Sequence, residues 1–370
     1  MRIHGGIRAL VAIVIAGALA ACPAGALAAA NLRVRGNELI DGPGRGHLVK
    51  LRGLNRSGLE YACIQGWGFF DSPHPNQIDD PQMIRAMKSW DINVIRVPLN
   101  EDCWLGINSS SPTYAGRPYR QIVQQYVAAL HRAGLYAILE LHVAAPGQIK
   151  SQHLERMPDR DHAPAFWRSV ASTFKNDHAA VFDLYNEPNH IGWGCWQHGC
   201  RIAPYDDGYG LQPSYQAAGM QQLVDAVRST GATQPLMLGG IGYAHSLSSW
   251  IAHEPHDRLH RLVAAEHNYG VLSPCQAACQ QDMLSTHRRV PVVMGELGET
   301  DCRQTYIDQL MRFADRNGIG YLGWAWDAVS AGSWTCAGGP SLIADYTGTP
   351  TPFGVGFRDH FRALGTPSGP

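Results

Sequence analysis

Between residues 49 and 327, near-continuous apolar runs alternate with segments in which apolar residues recur at helical spacing. The runs are Val49–Asn55, Val94–Leu99, Tyr136–His142, Val181–Glu187, Pro235–Gly240, Leu262–His267, Pro291–Glu296 and Tyr321–Asp327. Strands of a parallel sheet buried on both faces read this way, because neither set of alternating side chains meets water. Between them the spacing predicts helices, among them Tyr119–Gly134, Pro164–Lys175, Tyr215–Gly231 and Thr305–Gly318. Gly134, Gly231 and Gly318 stand where a helix must stop ahead of a strand, a position that favours a left-handed residue. A succession of eight strand–helix units predicts an α/β chain folded as a (β/α)8 TIM barrel, which takes roughly 250 residues plus loop insertions. A doubly wound sheet is the alternative, but no Gly-rich phosphate turn follows the first strand. Gly239-Gly240-Ile241-Gly242 reads instead as a bend at a strand end. Ahead of the barrel, Asn31–Gly46 predicts a short hairpin lying over the barrel floor. No linker-like stretch follows, so residues 31–370 are expected to form a single domain.

Composition narrows the function. Of 370 residues, 45% are apolar and 16% charged, with 30 basic against 31 acidic side chains, which excludes a disordered scaffold. The balance of charge leaves no electrostatic footprint for nucleic acid, and nothing implies a protein partner, so a monomer is expected. Residues 1–30 carry Arg2 and Arg8, then an uncharged stretch and an Ala26-Leu27-Ala28 site, the pattern of a cleaved secretory signal. Leu19-Ala20-Ala21-Cys22 also resembles a lipoprotein signal, which makes Cys22 a candidate lipid anchor. A secreted or periplasmic location follows. Of the nine cysteines, the eight beyond Cys22 are an even set in an exported chain, and disulfides are expected. Neither Cys195/Cys200 nor Cys275/Cys279 has the spacing of a closed zinc site, and no metal or cofactor is expected.

In a parallel barrel the chemistry sits at the C-terminal ends of the strands. The fourth run ends Asp183-Leu184-Tyr185-Asn186-Glu187-Pro188 and the seventh ends Val293-Met294-Gly295-Glu296. Strands four and seven face each other across the mouth, so Glu187 and Glu296 form a carboxylate pair. Glycoside hydrolysis needs such a pair: one acid to protonate the leaving oxygen, one base to attack or to activate water. Either glutamate alone would read as an ion-paired rim residue.

The ordered set of strand-end motifs resembles the retaining family 5 glycoside hydrolases of the cellulase type. The motifs are Arg52-Gly53-Leu54-Asn55, Ile95-Arg96-Val97-Pro98, Leu141-His142, Asn186-Glu187-Pro188, His267-Asn268-Tyr269, Gly295-Glu296 and Trp324-Ala325-Trp326. The resemblance implies that Glu187 is the general acid/base and Glu296 the nucleophile. It implies that Asn186 holds the sugar 2-hydroxyl, that Arg96 keeps Glu296 ionised and that Tyr269 orients it. His142 and His267 would line the reacting subsite, and Trp324 or Trp326 would be the platform under the sugar ring. The choice between the two tryptophans stays open, because alternate residues of a strand point the same way. The apolar Val143-Ala144 after His142 departs from the family pattern.

Other residues are weighed beside these. Glu140 and Glu266, inside predicted strands, are expected to be buried partners of cations, and Glu299 is a candidate sugar contact. Glu60 is a further acid near a strand end. Trp67, Trp104, Trp193, Trp196 and Trp334, in predicted loops at the same end, suggest a cleft that stacks several sugars. Barrel adjacency pairs Cys63 with Cys103 and Cys302 with Cys336, while Cys195–Cys200 and Cys275–Cys279 close local loops. The expected activity is hydrolysis of a β-glucan-type polysaccharide or oligosaccharide, foremost as an endo-β-1,4-glucanase. A β-mannanase, a β-1,3-glucanase, an exo-acting glycosidase or a non-catalytic carbohydrate-binding barrel are the alternatives.

Overall fold

The computed structural model describes residues 30–78, 81–270, 275, 277–299, 303–328, 340–365 and 367–370. The expected signal segment with Cys22, the expected Cys302–Cys336 pair and Trp334 lie outside the described residues. Eight parallel strands close into a barrel: β1 (Arg52–Asn55), β2 (Val94–Asn100), β3 (Tyr136–Val143), β4 (Ala180–Asp183), β5 (Leu236–Gly239), β6 (Leu262–Tyr269), β7 (Val292–Gly298) and β8 (Gly320–Gly323). Each predicted run overlaps one of them. Every residue of β2 and of β7 is buried, as strands enclosed by a barrel interior and an outer helical ring must be.

Helices Arg117–Arg132, Ala163–Phe174 and Thr305–Asn317 fall where the spacing puts them. Gly134, Gly231 and Gly318 take φ of +73°, +83° and +75°, a region that side chains with a Cβ avoid. The predicted Tyr215–Gly231 helix is shorter, Met220–Arg228, because Tyr215–Gln216 pairs antiparallel with Arg201–Ile202. That ribbon, a second one (Tyr205–Asp206 with Leu211–Gln212) and the helix Trp193–His198 form an insertion after β4. A last helix, Pro352–Leu364, is capped by Thr351 Oγ1, which accepts from Gly354 N at 3.0 Å. Its Phe353, Phe357 and Phe361 are spaced by four, lie on one face and are fully buried, with Phe361 stacked on Tyr321 of β8.

The barrel floor is covered, although by three strands rather than a hairpin: Arg33–Arg35, Glu38–Asp41 and His47–Val49. The third takes Val49 from the predicted first barrel run. Leu32, Leu39 and Val49 pack with Leu51, Val94, Val293 and Leu322, and Tyr136 Oη donates to Asp41 Oδ2 at 2.6 Å.

Cys63–Cys103, Cys195–Cys200 and Cys275–Cys279 are bonded as the sequence pairs them. The first spans 40 residues and joins the loops after β1 and β2. Closing a loop of that length removes entropy from the unfolded chain, so replacing both cysteines by serine should cost about 2–4 kcal/mol in denaturant unfolding. A loss no larger than that from opening the short Cys195–Cys200 loop would contradict the loop-length argument.

Candidate active site

Five side chains from four strand ends converge on Arg96, whose own side chain has no exposure. Its Nε donates to Asp183 Oδ2 (2.9 Å), Nη1 to Asn55 Oδ1 (3.0 Å) and Glu296 Oε1 (2.8 Å), and Nη2 to Asn186 Oδ1 (3.0 Å). Glu140 Oε1 stands 3.6 Å from Nη2. Its burial makes Arg96 a positioning cation that reaches Glu296 and Asn186 but no solvent. Asn55 is in turn held by Nδ2 on the carbonyls of Gly295 and Gly323. A guanidinium fork is the group suited to this, since its donors lie in one plane at fixed angles.

Both oxygens of Glu296 are occupied, one by Arg96 and the other by Tyr269 Oη at 2.5 Å, and its side chain is 4% exposed. The Tyr269 hydroxyl is held neutral, since burial and the Glu296 charge push its pKa well up. Glu187 lies beyond the end of β4, on a segment that runs on along the sheet through Leu184 N to Met237 O and Asn186 N to Leu141 O. It is the more open of the two, 17% exposed, and its Oε1 is 2.9 Å from His267 Nδ1. Oxygens of Glu187 and Glu296 lie within 4.8 Å of each other, with a His267 nitrogen between them.

The two histidines are driven apart electrostatically. Burial pushes His267 down to about 4, so it is neutral. His142 also suffers burial, but the charge and hydrogen bond of Glu140 (Nδ1 to Oε2, 3.0 Å) outweigh it and raise the ring to about 9. Glu140 is therefore the buried cation partner that its strand position predicts. Burial raises Glu187 to about 7, partly offset by the cations His142 and Arg96 and helped by the Glu140 charge. One carboxyl is thus a proton donor near neutral pH while the other is fixed by two donors, the division of labour a displacement at an acetal carbon requires. With Glu187 protonated below about 7 and ionised above, kcat/KM should fall about tenfold per pH unit on the alkaline side. A pH profile whose alkaline limb lies near the ordinary carboxylate value would show that burial does not tune this group.

Of the two tryptophans, Trp324 faces the cavity, stacked on His142 at 5.4 Å and 14°. Trp326 does not: it has no exposure and packs edge-on against Trp90 at 5.0 Å. The strand rule that would have placed both on one side fails because β8 ends at Gly323. Beyond it Trp324 N bonds Leu297 O on one neighbouring strand and Trp326 N bonds Asn55 O on the other.

Three further expectations change. Glu299 is buried and accepts from Tyr306 N at 2.9 Å, holding the start of helix Thr305–Asn317 rather than a sugar. Glu266 has no cation among its described bonds; it faces the Cys275–Cys279 bridge, and burial pushes its carboxyl well up toward the neutral acid. Trp104 and Trp196 are core residues, their indoles bonded to Ser169 Oγ and Gly239 O, while Trp193 packs on Trp196 and His253. Among the described loop tryptophans Trp67 is exposed, at 38%, and Trp193 is partly buried.

Part of the aromatic and polar lining of the cleft comes from residues outside the strand-end motifs. The catalytic cavity, about 550 Å³, also holds Leu154, Tyr243 and His245. A second cavity of about 620 Å³ continues from His142 and Trp324 past Tyr61, Glu60, Asp71 and Asp327. A third, about 250 Å³, continues from Leu154 and Tyr243 past Asn189, His190 and Tyr209. Tyr209, 83% exposed, stacks on His153 at 4.7 Å. The Gly-rich end of the fifth run was the available signal for Tyr243 and His245; an insertion such as the Tyr209 ribbon has none.

The sequence model of the cellulase family, glycosyl hydrolase family 5, matches residues 50–330. Endoglucanase MaCel5A of Microbulbifer sp. (strain ALW1) is 24% identical over 149 residues, which are 40% of this chain and 24% of that protein. An endoglucanase of Halalkalibacter akibai is 24% identical over 189 residues, 50% of this chain and 19% of that protein. The chain thus matches about a quarter or less of the length of these curated relatives. Among solved structures, the β-glucanase SdGluc5_26A from Saccharophagus degradans is 18% identical with a TM-score of 0.67, over 91% of this chain and 94% of that one. The catalytic domain of Thermobifida fusca endoglucanase Cel5A is 17% identical with a TM-score of 0.60, over 90% and 97%. At such identities the likeness is one of fold.

Proposed function

The chain belongs to the cellulase family, glycosyl hydrolase family 5, and from that membership we propose that it is a retaining endo-β-glucanase, with β-1,4-glucan as its foremost substrate. The observation that carries the reading is the carboxyl pair at the barrel mouth, its oxygens within 4.8 Å and only Glu187 open to a leaving group. Retaining pairs sit about 5–5.5 Å apart, too close for a water between them, whereas inverting pairs leave about 6.5–9.5 Å. Glu187 then protonates the glycosidic oxygen while Glu296 attacks the anomeric carbon. Loss of the leaving sugar leaves a glycosyl ester on Glu296, and Glu187, now ionised, takes a proton from the water that breaks it.

The cleft supports endo action. Asn189 and His190 follow Glu187, so the small third cavity lies on the leaving-group side and the large second cavity on the other. Sugars on both sides of the reacting ring suit an internal bond of a polymer. The names of these relatives favour β-glucan, and the three disulfides among the described residues fit an exported enzyme.

The test is a panel of β-1,4-glucan, β-1,3-glucan, mixed-linkage glucan and β-mannan, with products sized and the first product's anomer read by proton NMR before mutarotation. The reading expects rapid loss of chain length on β-1,4-glucan and an initial β-anomer. Mannan as the best substrate would overturn the specificity, disaccharide alone from the first time point the endo action, and an initial α-anomer the retaining mechanism.

A further inference from the structure

We propose that Glu101, Asp159 and His162 form a structural binding site for a zinc-class divalent cation, which ties together the loops after β2 and β3. Glu101 follows the last residue of β2, and Asp159 and His162 stand just ahead of helix Ala163–Phe174. One donor atom from each lies within 4.8 Å of the other two. Both carboxylates have no exposure. Glu101 Oε2 accepts from Ala145 N at 2.6 Å, an amide that Asp159 Oδ2 approaches at 3.4 Å, and Asp159 Oδ1 accepts from His162 N at 2.6 Å. Glu101 Oε1 is buried with no protein donor.

The contrast with the catalytic end of the barrel is chemical. There, the three carboxylates around Arg96 are offset by its guanidinium. Here, among the described residues, no arginine or lysine side chain bonds either Glu101 or Asp159. Two adjacent carboxylates out of water repel each other and lose their hydration, a cost that a cation or a shared proton must offset.

The donor set separates the ions. Two carboxylates with one imidazole match zinc, which takes nitrogen and oxygen in fourfold sites; His162 Nδ1 donates to the Ala145 carbonyl at 2.7 Å, the kind of outer bond that leaves Nε2 as the ring nitrogen with a free lone pair. Calcium prefers six to eight oxygens. None of the three residues lines the catalytic cavity. The loop they clamp, from Ala145 to His162, brings His153 and Leu154 to the cleft, so the ion would stiffen one cleft wall without touching the reacting bond. Sequence spacing gives no hint of this, because the donors come from separate loops.

Calorimetric titration of the chelator-stripped full chain with zinc chloride, paired with thermal melting, tests the site. One equivalent should bind and raise Tm by several degrees, with calcium leaving Tm unmoved. Glu101→Gln and Asp159→Asn should each weaken zinc binding by more than about 100-fold and remove the Tm response. If these variants fold poorly, zinc-edge absorption of the wild type must show a shell of nitrogen and oxygen with one imidazole. No zinc bound by the wild type overturns the proposal and leaves the pair sharing a proton. So does binding that survives both substitutions. Turnover of a chromogenic glycoside should be unchanged by the first equivalent; inhibition in step with it would put the ion on Glu187, His267 and Glu296 and equally overturn the site.

Discussion

Glu296→Gly should lower hydrolysis to below a few per cent of the wild-type rate, and azide should restore part of it. The oxygens of Glu296 are aligned by Arg96 Nη1 at 2.8 Å and Tyr269 Oη at 2.5 Å. Without the carboxylate no glycosyl ester forms, and covalent catalysis is lost as a whole rather than in part. The glycine leaves a gap beside two donors, one of them cationic, that accepts a small anion. Azide there attacks the anomeric carbon while Glu187 still delivers its proton, so one inversion replaces two and the product is an α-glycosyl azide. Product NMR and a rate measured against azide concentration read both parts. Retention of more than a few per cent of the rate without azide would move the nucleophile elsewhere.

Glu187→Gln should act selectively. The amide keeps the shape of the carboxyl and a contact to His267 Nδ1, so binding survives while the proton does not. Positioned proton transfer contributes about 10²–10⁴-fold, and natural glycosides, whose leaving alcohols need a proton, should slow by that amount. A dinitrophenyl glycoside leaves without one, and its first step should remain close to wild type. Deglycosylation also needs Glu187 as base, so this substrate should show a burst of dinitrophenolate followed by slow turnover. Equal loss on the two substrates without a burst would remove Glu187 from the acid/base role.

What these experiments probe was legible in the chain to an unequal degree. The eight strands, the three left-handed glycines and the strand-end positions of Asn186, Glu187, His267, Tyr269 and Glu296 could be read from the sequence. Each is written in local pattern: a run buried on both faces is continuously apolar, a helix stop needs a residue without a Cβ, and a parallel barrel turns every strand end toward one mouth. The pairing of Cys63 with Cys103 followed from the same adjacency.

Tertiary structure alone decided the rest. Trp324 and Trp326 are two residues apart, yet one stacks on His142 at the cleft and the other is fully buried against Trp90. Past Gly323 there is no strand period to read. Trp104 and Trp196 looked like cleft aromatics and became core, because a loop side chain goes where the neighbouring loops leave room. Arg96 announced itself as a strand-end cation, but its simultaneous hold on Asn55, Asp183, Asn186 and Glu296 exists only once the barrel closes. Glu101 and Asp159 each read as ordinary acids, and only folding brings them together away from water. Periodicity along a chain records which side of an element is buried; it carries no record of which residues from distant elements meet there, and that meeting sets the protonation of Glu187 and the stacking of Trp324 on His142.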